Sequence, residues 1–374
     1  MSTQRRIYLD YNATAPLGEP ARRAMTEAMA ALSGNPSSVH AEGRAARDQI
    51  ERARAQVATL AARPREHTVF TSGGTEANVL GVLALAGHAE AAGRPRVIAT
   101  SPIEHPSLLG AVRELARRGW SVTMVPVDEG GRVTPGGDDP QHLGLAAFAA
   151  VNHELGTILN PDVLAWARAR GALVHVDAVQ AAGKLPLAAI DRDALALSAH
   201  KLGGPQGAGA LVIAVDAALP IVGGGHQERG RRAGTENALG IIGFGAACAA
   251  VDLAAWPATV ELGARLERGL AALGARIHGA GTPRTGATIN AAFAGALGDA
   301  IVIALDLAGV AASTGAACTS GSIEPSPVLL ALGQPPAQAR EAVRFSLGPG
   351  NTVSEIDTVL ELLPAIISRA RQHR

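Results

Sequence analysis

Two neighbouring stretches of the sequence decide the fold. Residues 173–180 read LVHVDAVQ and residues 194–201 read ALALSAHK. Each begins with a short apolar run of strand length and then turns polar, at Asp177 in the first stretch and at Ser198 in the second. Short apolar runs of this kind predict strands that are buried on both faces. Ligands of open α/β sheets bind beyond the carboxyl ends of the strands, so these polar residues are the first candidates for a functional site.

Similar apolar runs alternate with helical patterns along the first two thirds of the chain. The predicted strands are 68–71, 97–100, 121–125, 145–151, 173–177, 194–198 and 210–215. The predicted helices include 18–33, 41–63, 76–92, 107–118 and 161–170. This alternation predicts an α/β fold with a mostly parallel, seven-stranded sheet that is covered by helices on both faces.

The pattern changes beyond about residue 250. A long helix rich in Ala, Leu and Arg is predicted at 252–273, and a final helix at 354–371. We expect a large domain formed by residues 14–250, and a smaller α+β domain formed by residues 1–13 together with residues 251–374.

The composition narrows the class of protein. Lys plus Arg and Asp plus Glu balance at 33 each among the 374 residues, with no basic patch or tail, which argues against a nucleic-acid-binding protein. The sequence has no secretory leader pattern and no apolar run of about 18 residues or more, so we expect a cytoplasmic protein without a membrane span. The two cysteines, Cys248 and Cys318, form neither a disulfide framework nor a metal-ligand spacing.

A small-residue turn follows the first predicted strand of the sheet. Residues 71–78 read TSGGTEAN, which is typical of a strand, a tight turn and the start of a helix. The N–H groups of a helix N-terminus favour an anion such as phosphate, which makes Gly74 and Thr75 candidates for phosphate binding. An ordinary capped helix start is the alternative interpretation.

Residues 173–180 and 194–201 each contain one candidate for cofactor chemistry, Asp177 and Lys201. Lys201 and Lys184 are the only lysines in a chain that otherwise uses arginine. A lysine amine can form a Schiff base and an arginine cannot, and we favour Lys201 because Lys184 is predicted to lie in a turn beyond a helix. Asp177 closes an apolar strand, where a carboxylate needs a partner such as a protonated ring nitrogen, although an N-cap to a following helix is also possible.

Reactive groups are also predicted in two loops. Residues 312–322 read ASTGAACTSGS, a small-residue segment that we expect to be mobile and to expose the thiol of Cys318. Cys248, within an apolar run, is instead expected to be a buried packing residue. His105 follows a predicted strand and is suited to stack on a flat ring or to transfer protons.

These features together resemble the cysteine desulfurases, which are fold-type I pyridoxal-phosphate enzymes of the class V aminotransferase group. The resemblance extends to YLDYNAT at residues 8–14, GNPSSVH at residues 34–40 and VRFSLG at residues 343–348. The stretch around Cys318, which continues into IEPS at residues 323–326, is similar to the subgroup with the longer cysteine loop.

The resemblance implies a role for each candidate residue. It implies that Lys201 anchors pyridoxal 5′-phosphate, that Asp177 keeps the ring nitrogen protonated, that His105 stacks on the ring and that Gln180 bonds its phenolic oxygen. It implies phosphate contacts from Thr75, Ser198 and His200, and from Thr235 of a neighbouring subunit in a homodimer. It further implies that Asn35 and Arg344 bind the carboxylate of L-cysteine, and that Cys318 takes up its sulfur for an acceptor protein.

One motif departs from the family pattern. Family members usually carry paired asparagines before Glu-x-Gly, and the second contacts the ring oxygen; here residues 151–156 read VNHELG. Either His153 or Asn152 would make that contact. An aminotransferase, a kynureninase-like hydrolase, a selenocysteine lyase and a sulfur carrier without catalysis are the alternative functions on the same scaffold.

Overall fold

The computed structural model of the chain describes residues 6–135, 140–213, 223–315 and 324–372. Its strands are β1 (Ile7–Tyr8), β2 (Thr68–Thr71), β3 (Val97–Thr100), β4 (Ser121–Met124), β5 (Leu145–Ala149), β6 (Leu173–Asp177), β7 (Ala194–Ser198), β8 (Gly209–Ile213), β9 (Arg276–His278), β10 (Thr288–Ala292), β11 (Val310–Ala311) and β12 (Ala342–Ser346).

The α-helices lie between and after these strands. They are α1 (Glu19–Ala31), α2 (Ala41–Ala61), α3 (Gly74–Ala91), α4 (Pro106–Arg117), α5 (Pro161–Ala169), α6 (Ala238–Ala249), α7 (Trp256–Ala272), α8 (Gly298–Leu307), α9 (Pro327–Ala331), α10 (Pro336–Ala339) and α11 (Val353–Gln372). Short 3₁₀ turns occupy Arg65–His67, Leu187–Ala189, Ala199–Lys201 and Gln227–Gly230. No described helix is both long enough and apolar enough to cross a membrane.

The seven-stranded sheet has the order β2-β8-β7-β6-β5-β3-β4. The pairs from β7 through β6, β5 and β3 to β4 are parallel, whereas β8 runs antiparallel to both of its neighbours. The prediction of a mostly parallel, seven-stranded sheet is therefore confirmed. The strand predicted at 145–151 ends at Ala149, and residues 214–215 of the last predicted strand lie outside the described residues.

Both faces of the sheet are covered, as the apolar runs predict. Val174 and Val176 belong to a core shared with helices α2, α5 and α6, while Ala194 and Ala196 belong to a second core shared with α3 and α4. Helix α3 lies close to the sheet because its Gly81 has no side chain: a Cβ atom there would lie 2.5 Å from the ring of His175 in β6.

The strand register brings the predicted functional residues to one edge of the sheet. Asp177 of β6 is paired with Ala149 of β5 and with Ala196 of β7. Because β5, β6 and β7 are parallel, their carboxyl ends lie side by side, and the residues that follow them meet there.

The C-terminal part of the chain forms two smaller sheets. One is antiparallel with the order β12-β10-β9, and the other pairs β1 with β11 in parallel. Leu9 shares a core with residues from α7, β10, β12 and α11. The N-terminal strand thus packs with the C-terminal part, while the division into residues 14–250 and the remainder stays a prediction.

Candidate active site

A cavity of about 320 Å³ opens at the carboxyl edge of the large sheet. Most of the predicted site residues line it, from the ends of several strands and from β12. They are Gly74, Thr75, His105, His153, Asp177, Gln180, Ser198, His200, Lys201 and Arg344. In the described ranges, no three His, Cys, Asp or Glu side chains are grouped to hold a metal ion.

One end of the cavity is suited to an anion. Helix α3 begins at Gly74 without a side-chain cap, so its first N–H groups are open to a ligand. The buried hydroxyl of Ser198 has no hydrogen-bond partner among the described residues. A Cβ atom on Gly74 would lie 2.7 Å from Val179 Cγ2 and 3.3 Å from Ser198 Cβ, so glycine is needed to keep this space open. The residues present therefore fit a phosphate group.

Asp177 is held by a buried network of hydrogen bonds. Its Oδ1 accepts from the Val179 N–H at 2.9 Å, and its Oδ2 accepts from Asn78 Nδ2 at 2.7 Å. Asn78 Oδ1 lies 3.0 Å from His175 Nε2, and burial lowers the pKa of His175 to about 3. A neutral His175 that donates from Nε2 fixes the Asn78 amide with its NH₂ group toward Asp177. The turn after Asp177 leads into no helix, so the N-cap alternative is wrong.

Two histidines meet on another side of the cavity. The rings of His105 and His153 lie edge to face, with centroids 5.2 Å apart. His105 Nδ1 accepts from the Ser107 N–H at 3.2 Å, so a neutral His105 carries its proton on Nε2. Burial lowers the pKa of both histidines, that of His153 well below its usual value. Both rings are therefore neutral near pH 7.

The structure distinguishes between Asn152 and His153. Asn152 Nδ2 donates to the Ile103 carbonyl at 2.8 Å, and its Oδ1 accepts from the N–H groups of Glu154 and Leu155, each at 2.9 Å. Backbone groups thus occupy the Oδ1 atom and one Nδ2–H of Asn152, which is not among the residues that line the cavity. His153 lines it instead.

The two lysines have different environments. Lys201 lines the cavity, and its Nζ donates to the carbonyl oxygens of Asn12 at 2.5 Å and Ala13 at 2.7 Å. Lys184 is not among the described residues that line the cavity; its Nζ donates to Gln180 Oε1 at 2.9 Å and to Asn12 Oδ1 at 3.1 Å. The prediction that Lys184 follows a helix is wrong, because hydrogen-bonded turns connect β6 directly to it.

Arg344 brings a buried positive charge to the cavity. Its Nη2 donates to Asp10 Oδ1 at 2.9 Å and its Nη1 to the His153 carbonyl at 3.2 Å. Its Nε has no partner in the described part of the chain. Burial raises the pKa of Asp10 although Arg344 lowers it. The guanidinium group is therefore held by Asp10 at the cavity, with its Nε–H buried and unpartnered in the described part of the chain.

Other predicted residues lie apart from the cavity. Asn35 is exposed, and its Oδ1 accepts from the Ser37 N–H at 2.8 Å. Thr235 lines a separate cavity of about 160 Å³ together with Ser72 and Gly207. Within one chain, neither residue is brought to the main cavity.

The segment that contains Cys318 is described only at its two ends. Cys318 itself lies outside the described residues, so the exposure of its thiol stays a prediction. On one side, Gly315 lines the cavity; on the other, Ser326 Oγ donates to the buried Glu154 at 2.6 Å. Cys248 is buried in α6, as predicted, and burial raises the pKa of its thiol.

Comparison with known proteins agrees with this geometry. Residues 7–359 match the family described as aminotransferase class-V. The chain is 40% identical to a cysteine desulfurase of Enterobacter agglomerans, over 98% of this chain and 93% of the relative. It is 41% identical to a cysteine desulfurase of Cereibacter sphaeroides, over 98% of this chain and 97% of the relative. The chain belongs to the cysteine desulfurase family.

Solved structures give the same assignment. A NifS-like protein superposes with a TM-score of 0.87 and 33% identity, over 97% of this chain and all of that one. A structure titled SspA in complex with cysteine superposes with a TM-score of 0.78 and 28% identity, over 92% of this chain and all of that one. The expected fold-type I architecture and class V assignment are thus confirmed.

Three residues of the site have no place in the sequence prediction. Asn78 holds Asp177, Ser107 holds His105, and Asn12 binds both lysines. Asn78 and Asn12 stand within the motifs TSGGTEAN and YLDYNAT, and Ser107 follows His105 by two residues. Their position near other candidate residues is the available signal. The contacts of Asn78 and Asn12 join distant segments that only the fold brings together, whereas the contact of Ser107 with His105 is local.

Proposed function

We propose that this protein is a cysteine desulfurase that binds pyridoxal 5′-phosphate and transfers the sulfur of L-cysteine to Cys318, releasing L-alanine. The proposal rests above all on the meeting of Lys201, Asp177 and Arg344 in one cavity of a chain that resembles desulfurases over nearly its full length. When bound, the cofactor supplies an electron-accepting ring that stabilises negative charge at the α-carbon of the substrate.

Each part of the cofactor has candidate partners in the cavity. The N–H groups at Gly74 and Thr75, the Ser198 hydroxyl and the nearby His200 would bind the phosphate. Asp177 would keep the ring nitrogen protonated, and Lys201 would hold the aldehyde carbon.

The remaining cavity residues would orient the ring. Gln180 and His153 would donate to the phenolic oxygen. His105, whose Nε2 carries the proton, would stack on the ring and donate a proton from that atom.

Arg344 and Lys201 would act on the substrate. The guanidinium group of Arg344, which lines the cavity, would bind the α-carboxylate through charge-assisted hydrogen bonds, while Asp10 keeps it in place. The amine of Lys201 would take the proton from the α-carbon of the substrate. Asn35 would also bind the α-carboxylate, although it is not among the residues that line the cavity of its own chain.

Cys318 would accept the sulfur. Its thiolate attacks the sulfur of the substrate, an S–S bond forms, the C–S bond breaks, and the β-carbon receives a proton to give L-alanine. One thiol and one cysteine thus become one persulfide and one alanine. Cys248 is unsuited to this role because it is buried and its pKa is raised.

We further propose a cytoplasmic homodimer that delivers the sulfur to an acceptor protein. Within one chain, Thr235 lies outside the cavity that contains Lys201, which favours its acting on the phosphate of a second copy. The acceptor would take the terminal sulfur of the persulfide at Cys318.

The test is the release of alanine and sulfide from L-cysteine with pyridoxal phosphate and a thiol reductant present. We expect equimolar products, abolished by Cys318→Ser and unchanged by Cys248→Ser, which is the matched control. Borohydride reduction followed by peptide mapping should place the cofactor on Lys201. Labelling of Lys184 instead, or product release by the Cys318→Ser variant, would refute the assignment.

A further inference from the structure

Lys184 is the one lysine for which the proposed chemistry has no use, yet it lies close to the site. Its amine is inserted between two side-chain amide oxygens, Gln180 Oε1 at 2.9 Å and Asn12 Oδ1 at 3.1 Å. Gln180 is itself buried and lines the cavity, so Lys184 contacts a cavity residue from behind.

These contacts determine which way the Gln180 amide faces. Its Nε2 donates to the Asn12 carbonyl at 2.9 Å, while its Oε1 accepts from Lys184. A flipped amide would place its carbonyl oxygen against the Asn12 carbonyl and its NH₂ group against the Lys184 amine. Two hydrogen bonds would be lost in a buried setting, where unpaired polar groups are costly. The observed orientation is therefore strongly favoured.

We propose that Lys184 is a positioning residue, which locks Gln180 so that its NH₂ group, and not its carbonyl oxygen, is presented to the phenolic oxygen of the cofactor. The inference rests on the proposed function. One N–H of Nε2 is used by Asn12, and the second remains for the cofactor. A carbonyl oxygen in that place would repel an ionised phenolic oxygen.

The chemistry of lysine suits this place better than that of arginine, which the chain uses elsewhere. Burial, and after it the charges of Lys201 and Arg344, lower the pKa of Lys184 to about 7. A lysine amine that gives up its proton still has N–H groups to donate, whereas arginine would bring a permanent charge beside Lys201. This accounts for the second of only two lysines in the chain.

The test measures the visible absorption band of the bound cofactor as a function of pH. Lys184→Met keeps the stem but removes the donor, and it should raise the titration midpoint of the band by about one unit, the size expected for one lost hydrogen bond to a charged oxygen. Gln180→Ala should give a similar shift. A thermal melt checks that each variant is folded.

A double-mutant cycle separates positioning from a direct effect of charge. If Lys184 acts through Gln180, adding Lys184→Met to Gln180→Ala should produce no further shift. A full shift in that background, or none in the wild-type background, would overturn the inference while leaving the desulfurase proposal intact. A wild-type protein without any cofactor band would instead refute the proposed function itself.

Discussion

Glu104 is a buried carboxyl group beside the cavity, and its titration should make the protein less stable as the pH rises. The residue is 4% exposed. Its Oε1 lies 2.6 Å from Ser101 Oγ, within hydrogen-bond distance, and its Oε2 accepts from the Ala149 N–H at 2.7 Å. Burial raises the pKa of Glu104 to about 8, even though these two hydrogen bonds lower it, and the nearby Asp177 raises it further.

The sign follows from the direction of the shift. A carboxyl group whose pKa rises from 4.5 to about 8 keeps its proton in the folded protein where the unfolded chain has lost it. Its favourable contribution is complete below about pH 4.5 and is lost as the pH rises through about 8. Over three pH units of this interval, from pH 5 to pH 8, the free energy of unfolding should fall by about 4 kcal/mol, at about 1.36 kcal/mol per unit.

Glu104→Gln tests this reasoning because glutamine imitates the protonated acid. Its amide can accept from the Ala149 N–H and donate to Ser101 Oγ. Urea unfolding at pH 5 and pH 8, followed by circular dichroism and by tryptophan fluorescence, should show a loss of stability in the wild type that the variant lacks. Glu114→Gln, at an exposed position of α4, is the control and should follow the wild type. Parallel behaviour of wild type and Glu104→Gln would mean that Glu104 is ionised in the folded protein.

Three further predictions concern the cavity, the Cys318 segment beside it and the separate cavity that contains Thr235. Ser326→Ala removes the hydrogen bond to Glu154 beside the Cys318 segment, and it should slow persulfide formation roughly tenfold with the cofactor band unchanged; equal loss of the cofactor would contradict this. His153→Asn should retain the cofactor, whereas His153→Ala should bind it about tenfold more weakly, as for one lost hydrogen bond; equal dialysis constants would contradict the contact. Co-expressed Thr235→Ala and Lys201→Ala chains should form mixed dimers in which one site has both residues intact. Their cofactor affinity per intact lysine should therefore exceed that of Thr235→Ala alone, and no gain would mean that Thr235 acts within its own chain.

The position of the site could be predicted from the sequence because its residues follow strands. Apolar runs that end in Asp177 and Ser198 identify both the sheet and its functional edge, and the same rule selects Lys201 over Lys184. The helix predicted to begin at residue 76 begins earlier, at Gly74. Glycine favours a turn by its intrinsic propensity, but the first turn of α3 packs against Val179 and Ser198, where no larger residue fits.

Contacts between distant segments could not be predicted. Asn152 and His153 are adjacent in the sequence, and only the turn shows that one side chain binds backbone groups while the other faces the cavity. Asn78 and Asp177 are 99 residues apart, and no local pattern relates them. The role predicted for Thr235 depends on a second copy, which the sequence of one chain does not place, and Asn35 is not among the residues that line the cavity of its own chain.

The N-terminal segment has a larger part in the site than its short strand suggests. The backbone carbonyl of Asn12 accepts from both Lys201 and Gln180, its Oδ1 accepts from Lys184, and its Nδ2 donates to the His153 carbonyl at 3.2 Å. Two residues earlier, Asp10 holds the guanidinium group of Arg344. The groups proposed to bind the cofactor and those proposed to bind the substrate therefore share one short segment. A shift of this segment would therefore move the cofactor-binding and the substrate-binding residues together. Because β1 pairs with β11, such a shift would also act on the strand that lies shortly before Gly315.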